Sequence, residues 1–135
     1  MSKSIIYTAN QSVQDVAIDG VFNLGTIIRR FGPNLNLAGN GIQICGGGYY
    51  DIDASFTLTP AAAGDLTVTA YLDNVAIPGA TATGSVAAAG DYVNLSIDGI
   101  IREGCSCCEG LSSLTFVLTG TAASATNVAI KVEKL

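Results

Sequence analysis

The sequence contains no histidine. That absence excludes, within one chain, a Ser-His-Asp triad, a Cys-His dyad and any imidazole metal site. Basic residues are scarce as well: six Lys and Arg stand against eleven Asp and Glu, for a net charge of −5. An acidic chain with so few cations is a poor match for a phosphate backbone, so nucleic acid is not an expected partner. Long apolar runs are missing too. Met1 to Tyr7 offers one Lys and only the pair Ile5-Ile6, whereas a secretory leader needs an apolar run of about 7–15 residues. The expectation is cytoplasmic synthesis followed by assembly into a virion or surface particle. The stretch Gly110 to Ile130 is uncharged, but it carries Ser112, Ser113, Thr115, Thr119, Thr121, Ser124, Thr126 and Asn127. That polar load argues against membrane insertion and for a hairpin turning at Gly120-Thr121.

Apolar side chains are present in quantity. Ile, Leu, Val and Phe number 13, 11, 10 and 4, enough to fill a core. They recur with the period of a strand. From Tyr50 to Thr59 every even residue is apolar and the odd ones are Asp, Ser or Thr, the signature of a half-buried antiparallel strand. Leu66 to Asp73 repeats the pattern, turns at Asp73-Asn74 and continues through Val75 to Ile77 until Pro78-Gly79 breaks it. Thr81 to Gly90 reads as a weak strand or a loop. Asp91 to Asp98 alternates with its apolar side on the odd positions. Leu111 to Thr119 puts Leu114, Phe116 and Leu118 on one face. Thr126 to Lys134 puts Val128, Ile130 and Val132 inward and Asn127, Lys131 and Glu133 outward. Residues 1–47 are less regular, with short strands expected at Ser4 to Thr8, Val13 to Ile18 and Val21 to Ile28, a turn at Phe31 to Asn34, and the run Ile42 to Cys45 leading into the glycines that follow. No segment sustains a helical period. Eight to ten short strands with regular turn signals predict one all-β domain over residues 1–135, an antiparallel sandwich, jelly roll or barrel.

Few residues suggest chemistry. Asp51 and Asp53 leave the same face of one strand; they read as a solvated outer face, since no loop supplies the further oxygens that calcium needs. Arg29-Arg30 offers a phosphate contact, with salt bridging within or between subunits the simpler reading. Gly46-Gly47-Gly48 lacks the Lys and the helix of a phosphate loop and reads as a bend. Tyr49, Tyr50, Tyr71 and Tyr92 are candidates for a partner surface. Tyr71 lies on the Thr face of its strand, and Val117 is out of phase with Leu114, Phe116 and Leu118. Strands apolar on both sides have a neighbour on each, which points to burial between copies.

Four cysteines occur, Cys45, Cys105, Cys107 and Cys108. Four thiolates on zinc is the one cofactor reading they allow, and the spacing does not follow the pairs of a zinc knuckle. Three arrangements stay open: reduced thiols in a loop, pairing with Cys45 or each other, or meeting of copies at an oligomer axis. With no histidine to lower a thiol pKa, nucleophilic catalysis by any of them is not expected. No catalytic residue is assigned.

Gly48-Tyr49-Tyr50-Asp51-Ile52, the run from Leu66-Thr67-Val68 to Asp73-Asn74-Val75-Ala76-Ile77-Pro78-Gly79, and Asn127-Val128-Ala129-Ile130-Lys131-Val132-Glu133-Lys134 together resemble the C1q/TNF-like jelly-roll domains of bacterial and phage surface proteins. The trimeric head of the collagen-like spore-surface glycoproteins is similar in these motifs. Asn74-Val75 stands where the family's hairpin has Asn-Gly. The match covers residues 48–134 well and residues 1–47 weakly. The resemblance implies a compact homotrimer with sheets packed around a threefold axis and no enzymatic activity. The collagen-like stalk of the spore-surface relatives is not found in this sequence. The expected role is therefore an accessory component of a phage or prophage virion, as a head fibre, decoration or tail-associated protein, or of a bacterial surface assembly. The alternative is a carbohydrate- or receptor-binding module using the loops Thr81 to Gly90 and Arg102 to Gly110.

Overall fold

A computed structural model describes residues 4–103 and 112–135. Its eleven strands are β1 (Ile5–Asn10), β2 (Gln14–Val16), β3 (Thr26–Phe31), β4 (Leu35–Ala38), β5 (Gly41–Ile44), β6 (Gly48–Pro60), β7 (Gly64–Leu72), β8 (Val75–Val86), β9 (Val93–Glu103), β10 (Ser112–Thr119) and β11 (Ala123–Lys134). They form two antiparallel sheets. The first runs β3-β1-β11-β6-β9, with β2 also on β11, and the second runs β4-β5-β10-β7-β8. Strands of the irregular N-terminal third therefore enter both sheets.

Period-two alternation fixes which face goes inward. In β6 the buried set is Tyr50, Ile52, Ala54, Phe56 and Leu58. In β10 it is Leu114, Phe116 and Leu118, and in the second half of β11 it is Val128, Ile130 and Val132. These meet Leu66, Val68 and Ala70 of β7 and Leu95 and Ile97 of β9 in one core. Packed aromatic rings mark its centre, with Phe56 4.9 Å from Phe22 and 5.5 Å from Phe116 between centroids. A bulge in the pairing of β11 with β6, between Ala125 and Asn127, shifts the inward parity from Ala123 and Ala125 to Val128 and Ile130.

Two expectations change. Pro78-Gly79 does not end its strand: β8 runs unbroken to Val86 and includes most of the segment read as weak strand or loop. β8 pairs only with β7, at the sheet edge, where a missing N–H costs no ladder bond. The register shift opposite Thr69 and Tyr71 absorbs the kink, with Gly79 at φ 82°. The expected strand from Val21 to Ile28 is also displaced. Val21 forms an isolated bridge to Val117, and the strand proper begins at Thr26. The hairpin turn at Asp73-Asn74 holds as expected, with φ values of 51° and 67°, both in the left-handed region that a two-residue hairpin of this type demands. Gly46 and Gly47 form the expected bend.

Candidate functional site

The outer face of the first sheet is the feature that stands apart. Register lays its side chains out in rows across the strands, because directly paired residues point the same way. One row reads Phe31, Ile5, Glu133, Asp51, Ile100. The next reads Arg29, Tyr7, Lys131, Asp53, Asp98, and a third reads Thr26, Ala9, Ala129, Ser55, Ser96. Tyr49, opposite Arg102, closes the face at one end. Phe31 is 67% exposed, Ile100 62% and Tyr49 53%, although the core beneath them is already filled. Large apolar side chains kept in water beside charged ones are the composition of a surface that meets another surface.

Small residues carve a hollow in this face. Ala129, Ser55 and Ser96 help to floor a shallow depression of about 390 Å³ that Tyr7, Asp53, Asp98 and Lys131 line. Lys131 Nζ lies 3.1 Å from Asp53 Oδ2. On the other side Asp53 faces Asp98. A hydrogen bond between the two carboxyls, followed by the charge of Asp53, holds the Asp98 pKa above the usual aspartate value. The same hydrogen bond and then Lys131 hold Asp53 below it. The hydrogen bond to Asp53 raises the Lys131 pKa. Of the two, Asp98 is therefore the carboxyl that takes up a proton first as pH falls.

The outer face of the second sheet differs. Hydroxyl pairs Thr67–Thr83 at 2.9 Å and Thr69–Thr81 at 3.0 Å cross it. Tyr71 is half-buried there between Thr115 and Ala76. Val117 pairs with Val21 of the same chain, and the segment is fastened by Phe22 N–H donating to Phe116 O at 3.0 Å and Leu118 N–H to Gly20 O at 3.0 Å. The out-of-phase Val117 thus finds its neighbour within the chain. The apolar surplus pointing outward lies instead on the other sheet, away from the strands whose phase suggested it.

Asp51 and Asp53 do share a face, as expected, and Asp53 has the two partners just described. Arg29 and Arg30 form no ion pair among the described residues, against the expectation of salt bridging within the chain. Arg29 Nη1 donates to Ile28 O and Arg30 Nε to Leu35 O; Ile28 lies on β3 and Leu35 on β4, each the edge strand of its sheet, where carbonyls are left free to accept. Tyr50 is buried and donates to Gly46 O at 2.8 Å; burial, then the charges of Glu103 and Cys45, push its phenol pKa up. Tyr92 is exposed just before β9. Cys45 follows β5, where its carbonyl accepts from Asn34 Nδ2 at 2.6 Å. Cys105, Cys107 and Cys108, and with them most of the loop from Arg102 to Gly110, lie outside the described residues. Among the described residues no group of His, Cys, Asp and Glu is arranged to hold a metal.

Sequence reasoning missed Phe31, Ile5, Tyr7, Ile100, Lys131 and Asp98 as one surface. The available signals were the run Thr26-Ile27-Ile28-Arg29-Arg30-Phe31, whose apolar residues do not alternate, and the Ile100-Ile101 doublet.

No protein-family model matches the chain, and no curated protein matches it. Solved structures do. Murine APRIL superimposes with a TM-score of 0.74 at 11% identity, covering 98% of this chain and 99% of that one. PRD1 vertex protein P5 gives 0.70 at 16% identity, covering 98% and 96%. The globular domain of zebrafish complement 1qA gives 0.69 at 6% identity, covering 97% and 95%. At these identities the likeness concerns the fold, and it spans nearly the whole chain, including residues 1–47 where the sequence motifs are weak. The chain has the C1q/TNF-like jelly-roll fold.

Proposed function

We propose that this protein is a non-enzymatic building block, a homotrimer that serves as an accessory component of a phage or prophage virion or of a bacterial surface assembly. The observation that carries the reading is the outward face of the first sheet, apolar at both ends over a core that is already closed. Phe31 and Ile28 project at the β3 end. At the β9 end Ile100 borders an apolar groove with Val75, Ile77 and Pro78. A head-to-tail contact joining unlike ends closes into a ring when the rotation allows, and a threefold ring covers every such end. Edge strands β3 and β9 are protected in the same step. The fold likeness to a vertex protein favours a place on a particle.

Light scattering on the purified chain tests the self-association. The expected mass is three times that of the 13.7 kDa chain, and Phe31→Asp with Ile100→Asp should return it to that of one chain without unfolding it, since both residues are exposed. A wild-type mass of one chain at all concentrations would overturn the reading. Capsid, portal or tail genes beside the coding sequence would support the virion setting over a bacterial surface one.

A further inference from the structure

We propose that self-association through the first sheet is linked to proton uptake: closing the face drives a proton onto each Asp53–Asp98 pair, so the assembly tightens on mild acidification. This inference rests on the self-association reading above and adds its regulation.

The geometry is that of two carboxyl groups in direct cross-strand register, Asp53 on β6 and Asp98 on β9. Directly paired side chains have Cβ atoms about 4.5–5.5 Å apart, close enough for one proton to be shared. The surroundings do not neutralise both. From β6 the other titratable groups are Asp51 and Tyr49, from β9 it is Arg102 beyond Ile100, from β11 they are Lys131 and Glu133, from β1 it is Tyr7, and from β3 it is Arg29. Lys131 is committed to Asp53 at 3.1 Å. Arg29 stands at the far end of the row and donates to Ile28 O. The two rows therefore hold four acids, Asp51, Asp53, Asp98 and Glu133, against two cations.

In the separate chain this surplus is tolerated, because Asp98 is exposed and the Lys131–Asp53 pair is half-exposed, at 40% and 41%. Water leaves when a second copy covers the depression these residues line. Desolvation disfavours the charged form of a carboxyl, and three copies bring like patches toward one axis. Taking up one proton turns each pair of carboxylates into a hydrogen-bonded acid–carboxylate pair with Lys131 still matched. The sign follows: the assembled state binds more protons than the separate chains, so the association constant rises as pH falls. The window lies above the ordinary aspartate value of about 4, because Asp98 is displaced upward.

The test is sedimentation velocity on a dilution series of the full chain between pH 5 and pH 8, in wild type, Asp98→Asn and Lys131→Gln. Asp98 is exposed, so its amide replacement should leave the fold intact. With up to one proton per copy, the trimer association constant can change by about tenfold per pH unit for each proton taken up. Wild type is expected to need at least about tenfold less protein to assemble at pH 5 than at pH 8. Asp98→Asn should assemble at pH 8 as wild type does at pH 5 and lose the dependence. Lys131→Gln should steepen it. A wild-type trimer as insensitive to pH as Asp98→Asn, or one that tightens with added calcium and not with acid, would overturn the proton linkage while leaving self-association standing. Single chains at every pH in all three proteins would instead remove the self-association reading.

Discussion

The ring of Phe22 sits 4.9 Å from that of Phe56, tilted by 45°. This contact ties a segment with no regular strand to the most regular strand of the chain. Phe22 is fully buried, and its N–H donates to Phe116 O at 3.0 Å. Replacing Phe22 by Ala should cost about 3–5 kcal/mol, the usual range for emptying an aromatic site in a packed core. Urea unfolding followed by circular dichroism measures it. A loss below about 1 kcal/mol would mean that residues 17–25 do not anchor the sandwich.

Asn74 occupies the second left-handed position of the β7–β8 turn, at φ 67°. Asn tolerates that region and Gly does so at no steric cost, whereas a side chain such as Ala costs about 1–2 kcal/mol there. Asn74→Gly should raise the unfolding midpoint and Asn74→Ala should lower it. Calorimetry on the two variants reads the order directly; the reverse order would be inconsistent with the turn geometry.

Carboxyl-carbon NMR should resolve the titrations of Asp53 and Asp98. Asp98 is expected to titrate above ordinary aspartates and Asp53 below them. In Lys131→Ala the Asp53 midpoint should move up, because the ion pair that favours its charged form is gone. The stability signs are opposite. The lowered pKa of Asp53 contributes stability above the ordinary aspartate value that is lost as pH falls. The raised pKa of Asp98 contributes stability at acid pH that is lost as pH rises through its folded value. Asp98→Asn should therefore gain on wild type as pH increases from acid to neutral.

Metal analysis of protein purified without chelator bears on the four cysteines. The expected zinc content is below one per chain, since Cys105, Cys107 and Cys108 lack knuckle spacing. Stoichiometric zinc, lost on replacing Cys45 by Ser, would establish a thiolate site instead.

Much of the sandwich was legible because a strand with one wet face must alternate. Tyr50 to Thr59, Leu66 to Leu72 and Val128 to Lys134 each reveal their inward side through local periodicity alone. β8 was harder, because Pro78-Gly79 signals an end in isolation and only the strand's place at the sheet edge makes it harmless. β3 was harder still: its pairing slips between Tyr7 and Thr8, and a bulge erases the period that sequence reading relies on. The site was legible by half. Asp51 and Asp53 announce a common face through their spacing, but Asp98 and Lys131 reach Asp53 from strands far away in sequence. Such meetings depend on register, which a local pattern does not contain.

The bulge at Thr126 has one more effect. A strand whose inward set changes parity midway has no translation that keeps both halves buried, so sliding β11 against β6 by a residue would expose either Ala123 and Ala125 or Val128, Ile130 and Val132. The irregularity acts as a detent. It holds the central strand at a single setting, and a one-residue insertion or deletion on either side of it cannot be relieved by slippage.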